Sequence, residues 1–169
     1  MRGGILDIVM PVISGIGNGG TVWIIIALIF TATKKYRIEG ISMLAALLIN
    51  LLISNVILKQ LVARVRPCDI NTAVELLIPR PADWSFPSGH ASSSFAAAAV
   101  IFCRDKKIGS AALILAAVIA FSRLYLYVHY PSDIIAGIAV GITVGIFTRK
   151  LIIKIAKKIT HKWARQTRA

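Results

Sequence analysis

Acid is what this chain has least of. Seven Asp and Glu stand against 20 Lys and Arg in 169 residues, a formal net charge of +13. None of the seven falls in a DxD or HExxH pattern, so hydrolases that gather a metal on clustered carboxylates or on a zinc helix are without their parts. Cysteine is nearly absent. Cys68 and Cys103 belong to no CxxC pair, which leaves zinc-ribbon and thioredoxin-type chemistry unsupported. The topology read below sets them near opposite faces of a bilayer, beyond disulfide reach. Aromatics are only 8% of the chain and do not interleave with the basic residues. With no nucleic-acid-binding motif either, the charge is not the footprint of a nucleic acid. Internal repeats and low-complexity tracts are missing. The N-terminal apolar stretch is broken by Pro11, Gly15, Gly17, Gly19 and Gly20, unlike a cleavable signal peptide.

What is abundant is grease. Hydrophobic residues make up 57% of the chain, too much apolar surface for a soluble domain of this size to hide. The pattern predicts an all-α polytopic bundle of five to six membrane spans. The spans run roughly over 19–33, 40–58, 88–102, 108–127 and 132–147, with residues 5–16 as an interfacial helix or truncated extra span. The whole of 1–169 reads as one domain, with a core over 40–148 and a basic tail over 149–169. Gly137, Gly141 and Gly145 recur every four residues on the fifth span, a spacing that lets helices approach closely in lipid. Between Lys59 and Pro87, four prolines forbid a single helix. A short helix is expected over 72–77, and Trp84 and Phe86 are expected as interface anchors, with lining of the acyl-chain entrance as the alternative.

Charge orients the bundle. Fourteen of the 20 Lys and Arg lie in the 34–39 and 104–107 loops and the C-terminal tail, which share one side. By the positive-inside rule that side is cytoplasmic. The other side holds Arg2, Lys59, Arg64, Arg66, Arg80 and Arg123. It also holds three motif clusters: Lys59-x6-Arg66-Pro67, Pro87-Ser88-Gly89-His90 and Ser122-Arg123-x5-His129-x3-Asp133. An odd number of spans between any two of them would have parted them.

The clusters are a parts list for phosphoryl transfer without a metal or other cofactor. That reaction needs positive charge on the non-bridging oxygens, an in-line nucleophile and a proton for the leaving oxygen. Lys59, Arg66 and Arg123 supply the charge, the arginines as planar forks and the lysine as a point charge. Arg123 lies inside an apolar stretch, where an unpaired charge costs at least ~2.5 kcal/mol, so it calls for an anion. Pro87-Ser88-Gly89-His90 reads as a helix start whose free N–H groups favour an anion. Ser88 adds a hydroxyl and Gly89 permits close backbone approach. Asp133, in the first turn of the helix after Pro131, can hold one nitrogen of His129 and leave the other as a nucleophile. His90 is then the general acid. Singly, a span-end cation such as Lys59 is also explained by snorkelling, and each histidine by interfacial hydrogen bonding.

Taken together, the three clusters resemble the tripartite signature of the type 2 phosphatidic acid phosphatase superfamily, which includes the vanadium-dependent haloperoxidases. The resemblance covers roughly residues 40–145. It implies that Lys59, Arg66, Ser88, Gly89 and Arg123 bind phosphate. It further implies that His129 forms a phosphohistidine oriented by Asp133, and that His90 protonates the leaving oxygen. It implies six spans where this chain reads as five plus a short N-terminal segment. Where some members have Arg-Pro-Arg, this chain has Arg66-Pro67-Cys68.

The expected protein is a cell-membrane lipid phosphatase with an outward-facing site. The leading substrate is undecaprenyl diphosphate; phosphatidylglycerol phosphate and phosphatidic acid are rivals. The expected partners are that lipid phosphate and the bilayer, with no nucleic acid. A phosphate-lipid transporter, needing the cations but not His129, is the reading of another class.

Overall fold

The computed structural model describes residues 4–166, with side chains through residue 160. Among the described residues there is no strand. The helices are α1 (Ile5–Ile16), α2 (Thr21–Ala32), α3 (Arg37–Asn50), α4 (Lys59–Val62), α5 (Pro67–Ile70), α6 (Gly89–Arg104), α7 (Lys106–Tyr125) and α8 (Pro131–Gln166). A 3-10 turn over Asn18–Gly20 joins α1 to α2, and a π-helical segment, Leu51–Leu58, carries α3 into α4. Arg2 and Arg168 lie outside the described residues, as do the side chains of Lys162 and Arg165.

Among the described residues, three stretches are long and apolar enough to cross a membrane: Arg37–Ile70, Lys106–Tyr125 and Pro131–Thr160. A fourth forms if α1 and α2, bent by 44° at Asn18–Gly20, count as one broken span. All five expected segments are therefore helical, but the first and third are short. α2 has 12 residues, about 18 Å of helix, and α6 has 16, about 24 Å, against a hydrocarbon core of ~30 Å. The N-terminal segment does not stand apart either: α1 packs on α7.

α6 is the axis of the bundle, packed on both α7 and α8. Its alanines and serines make it thin enough for that. Ala91, Ser92, Ser94 and Ala96 through Ile101 are all buried. α8 lays its glycine stripe on this surface. A Cβ on Gly137 would come within 2.8 Å of the Ser88 carbonyl oxygen, and Gly141 and Gly145 face the Ser92 and Ala96 carbonyls in the same way. Any larger residue would wedge the two helices apart, so the small-residue spacing does serve helix packing. Polar contacts also cross the bundle. The Trp23 indole N–H donates to Ser94 Oγ at 2.8 Å, and Asn50 Nδ2 donates to Ser92 Oγ at 3.0 Å.

At the tail end, buried Glu39 on α3 accepts from Arg149 of α8 at 3.1 Å and faces Arg104 of α6 at 3.9 Å. Tyr36 donates to Asp105 at 3.1 Å, and Asp105 caps α7 through the N–H groups of Lys107 and Ile108.

The loop over 71–88 corrects one expectation. Residues 72–77 form turns, not a helix, and the single helical turn falls earlier, at α5. Pro67 at its start and Asp69 in its first turn suit a helix N-terminus. At Asn71 the side-chain oxygen accepts from the Ala73 N–H at 3.2 Å, a local bond that competes with helix continuation. Leu76, Leu77 and Ile78 then pack beside Met10, Cys68, Leu126 and Val128. That contact replaces what a helix there would have offered.

Candidate active site

A cavity of about 740 Å³ opens among α1, α3, the π-helical segment, α6, α7 and the 78–83 loop. Six of the eight residues expected at the site line it: Lys59, Arg66, Gly89, His90, Arg123 and His129. Three separate sequence clusters therefore meet on one space. One flank is apolar, with Ile24, Leu44, Leu47, Leu48 and Leu51.

Ser88 and Asp133 do not line the cavity but stand behind it. Ser88 is fully buried as the N-cap of α6, where its hydroxyl accepts from the Ala91 N–H. Its own N–H donates to the Asp133 carbonyl at 3.1 Å, tying the start of α6 to the start of α8. Gly89 follows. A Cβ there would sit 2.9 Å from Asn55 Oδ1, so only glycine lets the helix start come this close. Neither Trp84 nor Phe86 lines the cavity, and Trp84 is 38% exposed.

His129 sits in the short connection between α7 and α8. Its Nε2 lies 3.2 Å from Arg66 Nη1. A guanidinium can only donate, so Nε2 carries the lone pair and Nδ1 the proton. Nδ1 faces Asp133 Oδ2 at 3.5 Å, an electrostatic contact longer than a closed hydrogen bond. Burial pushes the imidazole down to about 4, and nearby Arg66 and Arg123 push the same way against the pull of Asp133. His129 is therefore neutral near pH 7, with an unprotonated nitrogen at the cavity. Asp133, fully buried, is also held by Ser85 Oγ, by the Tyr130 N–H at 2.9 Å and by Arg64 Nη1 at 2.8 Å. Arg64 in turn lies over the Tyr130 ring, 3.9 Å from its centroid.

The cations differ in their company. Lys59 and Arg66, both buried, pair with the same carboxylate, Asp83. Arg66 reaches it at 2.6 Å and also donates to the Asp83, Trp84 and Val128 carbonyls. Burial raises the Asp83 carboxyl, but Lys59 and Arg66 outweigh it and hold the group at about 2. Arg123, 4% exposed, has no carboxylate within 4 Å among the described residues. It donates to Ser14 Oγ, and its Nε has no partner. His90 Nε2 lies 2.9 Å from Asn18 Oδ1. No group of three or more His, Cys, Asp or Glu side chains among the described residues could hold a metal ion.

Five residues that motif reading passed over thus touch the site: Ser14, Asn18, Arg64, Asp83 and Ser85. Ser14 and Asn18 lie far in sequence from any motif, and no spacing rule points to them. Arg64 carried a signal, since it stands two residues before Arg66 in an otherwise apolar segment. Asp83 did as well, as one of only seven acids in the chain.

Buried cations around two imidazoles can hold a tetrahedral oxyanion and offer a nitrogen lone pair to its centre. Known proteins carry the same arrangement of chain. A 121-residue stretch is 33% identical to an undecaprenyl-diphosphatase from Sulfolobus acidocaldarius, covering 71% of this chain and 58% of that protein. The chain thus spans less than two thirds of that relative's length. The crystal structure of LpxE from Aquifex aeolicus superposes with a TM-score of 0.77 at 27% identity over 88% of both chains. A PAP2-type phosphatidylglycerolphosphate phosphatase from Bacillus subtilis superposes at 0.71 with 25% identity, over 92% of this chain and 80% of its own. Residues 39–157, which hold all three clusters and the helices that bring them together, match the PAP2 superfamily, and this multi-pass helical membrane protein belongs to it.

Proposed function

We propose that this chain is a membrane lipid phosphatase that removes a terminal phosphate from a lipid by way of a phosphohistidine. The observation that carries the reading is Arg123: a buried guanidinium without a carboxylate partner, lining a cavity that also holds two imidazoles. An uncompensated charge in that position is costly unless an anion visits it.

In this scheme Lys59, Arg66, Arg123 and the backbone at Gly89 hold the three non-bridging oxygens. Ser88 acts from the cap, keeping the Gly89 turn in place. His129 Nε2, freed from Arg66 Nη1 as that guanidinium turns to the phosphate, attacks phosphorus, and the bond from phosphorus to the lipid oxygen breaks. His90 gives that oxygen its proton. Asp133 steadies the positive charge that grows on the His129 ring. His90, now a base, takes a proton from water, whose oxygen displaces His129 and releases inorganic phosphate. Each step uses protein groups and water alone.

The substrate is proposed to be undecaprenyl diphosphate, cleaved to the monophosphate. The apolar flank from Ile24 to Leu51 offers a berth for a long hydrocarbon, and the Sulfolobus relative bears that activity in its name. The fold neighbour from Bacillus subtilis keeps phosphatidylglycerol phosphate as the second reading. The site is proposed to face away from the cytoplasm, because the cations of the loops and tail gather at the opposite end. The test is phosphate release by purified protein from a panel of polyprenyl and glycerolipid phosphates, beside a His129→Ala control. Release from the diphosphate that the control lacks supports the reading. Lipid translocation that survives in the control, without any release, overturns it in favour of a transporter.

A further inference from the structure

Asp83 is in an unusual place for a carboxylate. It belongs to no motif, its side chain is 55% exposed, and it lies on the loop at the cavity rim. Yet it spans the two cations, Lys59 and Arg66, whose own side chains are only 6% and 2% exposed. Both oxygens are engaged: Oδ2 by Lys59 Nζ and Oδ1 by Arg66 Nη2. All five Arg66 N–H donors are already engaged, so a phosphate reaches Arg66 only by displacing an acceptor such as Asp83. Lys59 has N–H donors to spare, but a carboxylate and a phosphate sharing it would repel each other.

We propose that Asp83 is a built-in competitor for the phosphate site, one that reserves Lys59 and Arg66 for dianionic terminal phosphates and denies them to the monoanionic phosphodiesters of the surrounding bilayer. This rests on the reading of the cavity as a phosphate site. The physics is an exchange. A tethered carboxylate sits at high effective concentration beside its cations, so an incoming group must offer more than it does. A phosphodiester also carries a single charge. Exchanging one for the other gains no electrostatic energy and loses the tether's advantage. A terminal phosphate near pH 7 carries close to two charges, and its extra charge can reach the unpaired Arg123 at the same time. Phosphodiester headgroups surround such a site in vast excess over any terminal phosphate, so this discrimination has work to do even when each diester binds weakly.

The geometry allows a clean variant. Arg66 Nε donates to the Asp83 backbone carbonyl at 2.8 Å, a bond that any side chain at 83 leaves intact. Asp83→Asn and Asp83→Ala are compared with wild type in the detergent-solubilised full chain. Orthovanadate binding is read by calorimetry, and inhibition by phosphatidylglycerol is read in mixed micelles. The expected result is orthovanadate bound about tenfold tighter in both variants, the order of one charge-assisted contact no longer displaced. Phosphatidylglycerol should become a competitive inhibitor in the variants while sparing wild type. Unchanged or weaker orthovanadate binding in both variants overturns the proposal, because Asp83 would then be a brace for the cations. Equal inhibition of wild type and variants by phosphatidylglycerol also overturns it. The binding arm needs no turnover. If wild type binds orthovanadate but releases phosphate from no lipid, the phosphatase reading falls while the competition is still measured.

Discussion

The two ends of this bundle treat charge in opposite ways. At the tail end, Glu39 is shared by Arg149 and Arg104, and Asp105 is taken up by Tyr36 and by the cap of α7. Those acids knit α3, α6, α7 and α8 together. At the site end, Lys59 and Arg66 lean on a half-exposed carboxylate, and Arg123 has none. A closed ion pair serves as a rivet. Under the proposed function an open one serves as a binding site, and the bundle bears its cost for the sake of a ligand.

Substitutions at the two ends should therefore separate activity from stability. The largest effect is expected from His129→Ala, which should cut phosphate release by at least about 10³-fold while thermal unfolding stays close to wild type. Release within tenfold of wild type would remove His129 from the nucleophile's role. Next comes Arg123→Met. Turnover should fall by roughly 10²- to 10³-fold, yet the melting temperature should hold or rise, because an uncompensated buried charge is gone. A marked drop in melting temperature would place Arg123 among the rivets. Glu39→Ala is the mirror case. It should cost about 1–3 kcal/mol of stability by leaving partly buried Arg149 without its acceptor, with kcat little changed in protein that remains folded. Loss of kcat in a still-folded variant would join the two ends functionally.

The smallest effect is in pH. Burial, Arg66 and Arg123 hold His129 at about 4, below the ordinary histidine range. Its lone pair persists as pH falls until that value is reached, and only then is Nε2 protonated. The acid limb of kcat/KM, corrected for ionisation of the substrate phosphate, is expected near pH 4. An acid limb at the ordinary histidine pKa of ~6.5 would mean that the imbalance of charge at the site end does not reach His129.

The helices themselves were legible because lipid imposes a simple rule: long apolar runs must satisfy their backbones as helices. The start of α8 at Pro131 and the packing of Gly137, Gly141 and Gly145 followed from local geometry in the same way. The misreading at 72–77 has the opposite cause. Nothing local favoured a helix strongly there, and an Asn71 turn with packing against Leu126 and Val128 decided the matter. The third segment read as an ordinary span, yet in the fold it is a short central axis, because its alanines and serines let neighbours crowd it on every side.

By itself, then, the sequence determined an all-helical membrane bundle and the chemical inventory of its site, since both depend on residue type and short-range spacing. Tertiary structure alone decided which further groups join them. It put Ser14 on Arg123 and Asn18 on His90 across about a hundred and about seventy residues of chain. It moved Ser88 behind the cavity and set Asp83 between two cations. Those pairings arise from how helices pack, and packing depends on shapes and distances that no run of neighbouring residues encodes.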